Sequence, residues 1–266
     1  MNEMLKKIVE ANREDLNLRK KEISQKELEE KLFGITKCLD FRKVFETEFG
    51  IIAEIKLASP STGDLIMPGQ ILQIVEDYKK GGAKAISVVT EKHFFKGDIK
   101  LIKEVKQKTG LLILQKDFVV DRYQILEARI AGADALLLIA KILDPEQIKE
   151  FVELCFELGI EPVVEIYDEE DLIKAQNTKT RIIAVNARDL NTFEINIDRA
   201  CELINKIPED FLRLGFSGVN TKEEILKYKK AGARGVLIGS SLIKALDRVK
   251  FLEELSDFAS TGDKND

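Results

Sequence analysis

The stretch GADALLLI, Gly132 to Ile139, sets a Gly-Ala pair at the end of a helical pattern and an apolar run one residue later. The glycine suits the left-handed position just past a helix end. The run has no polar alternation, so the strand it forms needs cover on both faces, as in a parallel sheet flanked by helices. The same order of features returns in GAKAISVV from Gly82 and in GARGVLIG from Gly232. A helix-then-strand unit therefore repeats along the chain.

Five further runs read as strands, over 51–56, 111–116, 162–166, 181–186 and 212–217, which brings the number to eight. Helical patterns lie between them, among them ILQIVEDYKKGG, DPEQIKEFVELCFELG and TKEEILKYKKAG. Asp144 and Thr221 suit N-caps, and Glu224 stands at the capping-box distance from Thr221. Eight such units in about 200 residues predict a (β/α)8 TIM barrel. A doubly wound open sheet is the alternative, and the regularity of eight units favours closure. Residues 1–45 predict a helical extension of one or two helices, with Ile8, Leu16, Leu18 and Leu28 as an imperfect apolar stripe. Residues 260–266 read as a polar tail, and no linker or low-complexity stretch divides 1–266, so one domain is expected.

The bulk composition narrows the function. Of 266 residues 44% are hydrophobic and 33% charged, with a formal net charge of −5. A mildly acidic chain without a basic stripe does not fit a nucleic-acid partner. Three distant cysteines and a single histidine, His93, leave neither a zinc cluster nor a disulfide framework, and no metal is expected. The start MNEMLKKIVEANRE is amphipathic and charged, and no run approaches the roughly 18 apolar residues of a membrane span. A cytoplasmic location and no membrane contact are expected.

Barrel enzymes carry their chemistry at the C-terminal strand ends. Here those ends bear Glu54 and Lys56, Thr90 and Glu91, Lys116 and Asp117, Lys141, Glu165, Asn186 and Arg188, Ser217, and Gly239 with Ser240. In the first strand Ile52, Glu54 and Lys56 share a face, as do Leu112, Leu114 and Lys116 in the third. A structural ion pair is the plain reading of Glu54 and Lys56, but such pairs often stabilise little. Several charged ends converging on one mouth favour function. Asp117, Lys141 and Arg188 are also compatible with solvated strand ends, and His93 reads as a surface histidine. Ser217-Gly218 and Gly239-Ser240 follow the last two strands, where barrels commonly hold a phosphate on backbone N–H groups.

With these residues in place the chain resembles the indole-3-glycerol-phosphate synthase family of tryptophan biosynthesis. The likeness runs from KIVEANRED through IIAEIKLASPS, TEKHFFKGD, LLILQKDFVVD, PVVEI and IIAVNARDL to VLIGSSLI. The resemblance implies a carbon–carbon lyase that converts 1-(2-carboxyphenylamino)-1-deoxyribulose 5-phosphate to indole-3-glycerol phosphate, carbon dioxide and water, without cofactor. It implies Lys116 as general acid, Glu165 as the carboxylate of the dehydration, and Glu54 orienting Lys56 and Lys116. Asn186, Ser217 and Arg188 match substrate ligands, Ser59 a serine of the first loop, and Phe95 and Phe118 walls of the anthranilate pocket. Lys56, Gly218, Gly239 and Ser240 match the phosphate site. The substrate is a small phosphorylated molecule, and a monomer is the simplest assembly.

One residue departs from the pattern. The seventh strand ends LGFSGV, with Phe216 where the family usually carries Glu. Strand alternation puts Phe216 opposite Ser217, either packed in the pocket wall or bordering the mouth beside Lys56 or Lys116. A barrel that binds without catalysis, and a barrel isomerase of phosphoribosyl substrates, are the rival readings. The retained Glu54, Lys56, Lys116, Glu165 and Asn186 speak against the first, and the amino-terminal extension with KDF against the second.

Overall fold

The repeated glycines end helices as their sequence context demands: Gly82, Gly132 and Gly232 have φ of +88°, +97° and +90°. Each hands the chain to a strand buried along its whole length. The computed structural model describes residues 3–60, 62–190 and 192–261. Its barrel strands are β1 (Gly50–Ile55), β2 (Ala85–Val89), β3 (Leu112–Lys116), β4 (Ala135–Ile139), β5 (Glu161–Ile166), β6 (Ile182–Asn186), β7 (Leu212–Phe216) and β8 (Gly235–Ile238). All neighbours pair in parallel, and β1 closes the ring by pairing with both β2 and β8. The expected closed (β/α)8 barrel is thus the observed fold, and the open sheet is excluded.

The helices between strands are α4 (Ile71–Lys80), α5 (Lys100–Thr109), α6 (Arg122–Ala131), α7 (Pro145–Leu158), α8 (Glu169–Gln176), α9 (Ile197–Lys206) and α10 (Lys222–Lys230). After β8 come the short α11 (Ser240–Lys244) and α12 (Arg248–Thr261). Asp144 caps α7 by accepting from Gln147 N at 2.8 Å, and Glu224 reaches back to Thr221 N at 2.9 Å. The polar tail expected from residue 260 starts inside α12, and 262–266 lie outside the described residues. No helix among the described residues is long and apolar enough to cross a membrane.

Three helices precede β1: α1 (Glu3–Glu22), α2 (Gln25–Lys31) and α3 (Phe41–Thr47). The buried face of α1 is Leu5, Ile8, Val9, Asn12 and Leu16. Leu18, expected in that stripe, is 58% exposed. Two residues past Leu16 it is turned about 200° around the helix and faces solvent. Helix α3 closes the bottom of the barrel. Phe41 and Phe45 stack with centroids 5.2 Å apart. A Cβ on Gly50 or Gly235, the first residues of β1 and β8, would lie 2.7 or 2.8 Å from the Phe45 ring. At both positions the Phe45 ring occupies that space. Arg234 fixes the helix by donating to Phe45 O at 3.2 Å and Glu46 O at 2.7 Å.

Candidate active site

Alternation along β1 sends Glu54 into the barrel, and its side chain is only 4% exposed. Its two oxygens serve two cations. Lys56 Nζ donates to Oε1 at 2.8 Å, and Lys116 Nζ, from β3, donates to Oε2 at 3.1 Å. Burial alone would push the Glu54 carboxyl up, but Lys116 and Lys56 outweigh it and hold it at about 2. Gly239 leaves room for this carboxylate: a Cβ there would sit 2.5 Å from Glu54 Oε1. Burial disfavours the Lys116 ammonium, yet Glu54 and Glu165 overcome it and raise its pKa. The neighbouring charges thus tighten the hold of Lys116 on its proton.

The opposite wall is built from β5 to β7. Glu165 Oε1 accepts from Asn186 Nδ2 at 3.1 Å, while its Oε2 is buried and takes no hydrogen bond from the described residues. Burial pushes the Glu165 carboxyl up, and the opposing pull of Lys116 and Asn186 does not cancel it. Asn186 Oδ1 accepts from Ser217 Oγ at 2.9 Å and from Arg188 N at 3.0 Å. Regular alternation would turn Ser217 away from the interior once Phe216 faces in. Ser217 instead has φ +70°, a left-handed conformation rare outside glycine, which swings its hydroxyl back to Asn186. Phe216 pairs in register with Asn186 and is fully buried. It does not line the cavity, but its ring lies under Lys116, with Nζ 5.7 Å from the centroid.

Above these groups opens a cavity of about 290 Å³. The residues that match the family's site line it: Glu54, Lys56, Ser59, Phe95, Lys116, Phe118, Glu165, Asn186, Arg188, Ser217, Gly218, Gly239 and Ser240. The rings of Phe95 and Phe118 lie 6.1 Å apart, tilted by 34°. The turns after β7 and β8 stand side by side, joined by Ser241 Oγ donating to Val219 O at 2.8 Å. Ser59 shares a hydrogen bond with Thr62 at 2.6 Å in the loop after β1. That loop is pinned to the next one by Ala58 N donating to Phe95 O at 3.1 Å. Arg188 anchors its own loop through Phe193 O at 2.9 Å.

Other strand-end charges are used elsewhere. Lys141 lies in a 3-10 turn after β4 and pairs with Asp168 at 2.7 Å. The side chain of His93 is 42% exposed, as its surface reading required. Asp117 reaches the cavity rim, but its carboxylate accepts from Thr90 Oγ1 at 2.6 Å and Phe118 N at 2.8 Å.

Sequence reasoning missed three contributors and left a fourth, Glu91, as a strand-end charge without a role. Glu91 accepts the backbone N–H groups of His93, Phe94 and Phe95 at 2.7–2.9 Å and so shapes the loop that presents Phe95. Asn12 of α1 donates to Asp117 Oδ1 at 3.1 Å and Phe118 O at 2.8 Å. Its place within the apolar stripe of α1 was the available sign, since a buried amide needs a partner. The loop holding Leu190, Phe193 and Ile195 forms a wall of the cavity. Lys244, one turn into the helix after Ser240, also borders it.

Fold and mouth together define a (β/α)8-barrel enzyme. A model of the indole-3-glycerol phosphate synthase family matches residues 5–255, and the chain belongs to that family. It is 41% identical over 263 residues to the indole-3-glycerol phosphate synthase of Aliarcobacter butzleri (strain RM4018), covering 97% of this chain and 99% of that one. The protein of the same name from Lachnoclostridium phytofermentans is 36% identical over 266 residues, with 95% and 98% covered. Among solved structures, a 3-hexulose-6-phosphate synthase aligns with a TM-score of 0.63 at 18% identity, over 78% of this chain and 98% of that one. A thiamine phosphate pyrophosphorylase from Pyrococcus furiosus gives 0.58 at 18% identity, over 79% and 95%. These two share the fold.

Proposed function

We infer that the barrel mouth converts 1-(2-carboxyphenylamino)-1-deoxyribulose 5-phosphate to indole-3-glycerol phosphate, the carboxy-lyase step of tryptophan biosynthesis for which the family is named. The observation that carries the site assignment is the buried Glu54 carboxylate shared by Lys56 and Lys116 at the base of the cavity. It holds two ammonium groups where an anionic, ketone-bearing substrate must bind.

The aromatic carbon that bears the carboxylate attacks the ketone carbon, and Lys116 gives its proton to the ketone oxygen. The raised pKa keeps Lys116 protonated and so able to donate at neutral pH, while making it a weaker acid. The bond to the carboxylate then breaks, carbon dioxide leaves, and the bonding pair returns to the ring. The new hydroxyl departs as water with proton transfer assisted by Glu165, and the indole becomes aromatic. Burial that raises the Glu165 carboxyl lets it hold or release a proton closer to neutrality.

Phe95 and Phe118 flank the anthranilate ring, with Ser59 at the rim. Asn186, Ser217 and Arg188 bind the sugar and carboxylate oxygens. The turns at Gly218, Gly239 and Ser240, with Lys56, take the phosphate. These groups complete the site without a residue from a second subunit, and a monomer is the simplest assembly. The buried core from Leu5 to Leu255 supports one domain. Cys38, Cys155 and Cys201 are free thiols, which fits a reducing cytoplasm.

The test supplies the substrate and follows indole fluorescence; the chain has no Trp to interfere. Lys116→Ala should keep its circular dichroism and lose on the order of 10²–10⁴ in turnover. Turnover within a few-fold of wild type would remove Lys116 from the acid's role.

A further inference from the structure

Lys116 has an unequal set of partners. Its ammonium shares the Glu54 carboxylate with Lys56, so it does not have that anion to itself. Its ammonium also lies over the ring of Phe216, 5.7 Å from Nζ to centroid. An aromatic face attracts a cation through its quadrupole, and more strongly where water is excluded. Phe216 is fully buried and the Lys116 side chain only 21% exposed. The ring cannot drift. Phe216 O accepts from Ala187 N at 2.9 Å and from Tyr228 OH at 3.3 Å, and its strand is paired on both sides.

We propose that Phe216 is a positioning residue, whose ring holds the Lys116 ammonium toward the cavity without touching the substrate. This rests on the reading of Lys116 as the acid. A ring differs from a carboxylate in two ways that matter here. It cannot accept the proton, so it does not compete with the developing alkoxide. Its attraction is broad rather than directional, so the ammonium can turn from Glu54 toward the ketone oxygen at small cost. The charged groups facing Lys116 are Glu54 and Lys56 from β1, Glu165 from β5 and Arg188 beyond β6. Substitution at 216 leaves all of them in place.

The experiment compares kcat and KM across pH for wild type, Phe216→Leu, and a protein with a ring-fluorinated phenylalanine at 216. Fluorination weakens the quadrupole at nearly constant volume, which separates ring electrostatics from packing. Without the ring's attraction the ammonium is less favoured, so the alkaline limb of kcat should move to lower pH by roughly 0.5–1.5 units. KM at neutral pH should change less than about twofold, since the groups that bind the substrate are untouched. An alkaline limb that stays in place in the fluorinated protein overturns the role of the ring. Lys116→Ala is run alongside. If it is inactive while the limb is unmoved, the ring alone is refuted; if it turns over normally, the assignment of the acid falls and the ring's role with it.

Discussion

Glu54 gives one oxygen to each of two ammonium groups, and this division decides how the site responds to acid. Its carboxyl is held at about 2 against an ordinary 4.5. A depressed carboxylate contributes stability that is complete above its unfolded value and is lost as pH falls through its folded value. The loss therefore lies between about pH 4.5 and 2 and is on the order of 3 kcal/mol. Glu165 has the opposite sign: raised by burial, it favours folding below its unfolded pKa and loses that contribution as pH rises through its folded one. Glu54→Gln should be less stable than wild type at neutral pH, where it leaves two lysines short of a partner, and flatter across the acid window. Chemical denaturation from pH 7 down to 2 reads both. Parallel curves for the two proteins would show that Glu54 is not held ionised.

At the scale of elements, α1 acts on the site through Asn12. The amide holds Phe118 O and Asp117, the residues directly after Lys116, and accepts from Gln124 Nε2 at 3.3 Å. Burial already pushes the Asp117 carboxyl up, and Thr90 offsets only part of this. Asn12→Ala should cost about 1–3 kcal/mol through buried acceptors left short of donors. It should also lower turnover more than it weakens binding of inorganic phosphate, because the β3 end shifts while the turns after β7 and β8 do not. Urea denaturation, steady-state kinetics and a phosphate titration separate these effects; a stable, fully active variant would reduce α1 to a cover. The barrel strands were legible because each carries its own apolar run, and parity put Glu54 and Lys116 on inward faces, while Glu165 and Asn186 were read as strand ends. The contacts across the barrel were not legible. Lys116 meets Glu54 from 62 positions earlier, and no local pattern encodes that pairing. Ser217 was placed by its strand end, and its role by resemblance, while its positive φ, which breaks the alternation, shows only in the folded backbone. Leu18 was misread because a stripe was drawn through an unfavourable spacing.

For the whole molecule, the two ends of the barrel divide the labour. The C-terminal mouth carries the polar cluster, and α3 closes the base with Phe41 and Phe45. Phe45→Ala should cost roughly 3–5 kcal/mol by opening a cavity in the base. Its kcat and KM, measured well below the unfolding midpoint, should stay within about twofold of wild type, since chemistry sits at the opposite end. A large change in KM would mean that the base and the mouth are coupled. The plug also sets an order of events on the ribosome. Arg234, which fastens α3, lies 188 and 189 positions after the carbonyls it binds. At synthesis rates of about 5–20 residues per second, Phe41 and Phe45 emerge roughly 10–40 s before their last partner exists. Throughout that interval two aromatic rings near the start of the nascent chain lack part of their berth and are open to chaperones, until the eighth strand arrives and the ring can shut.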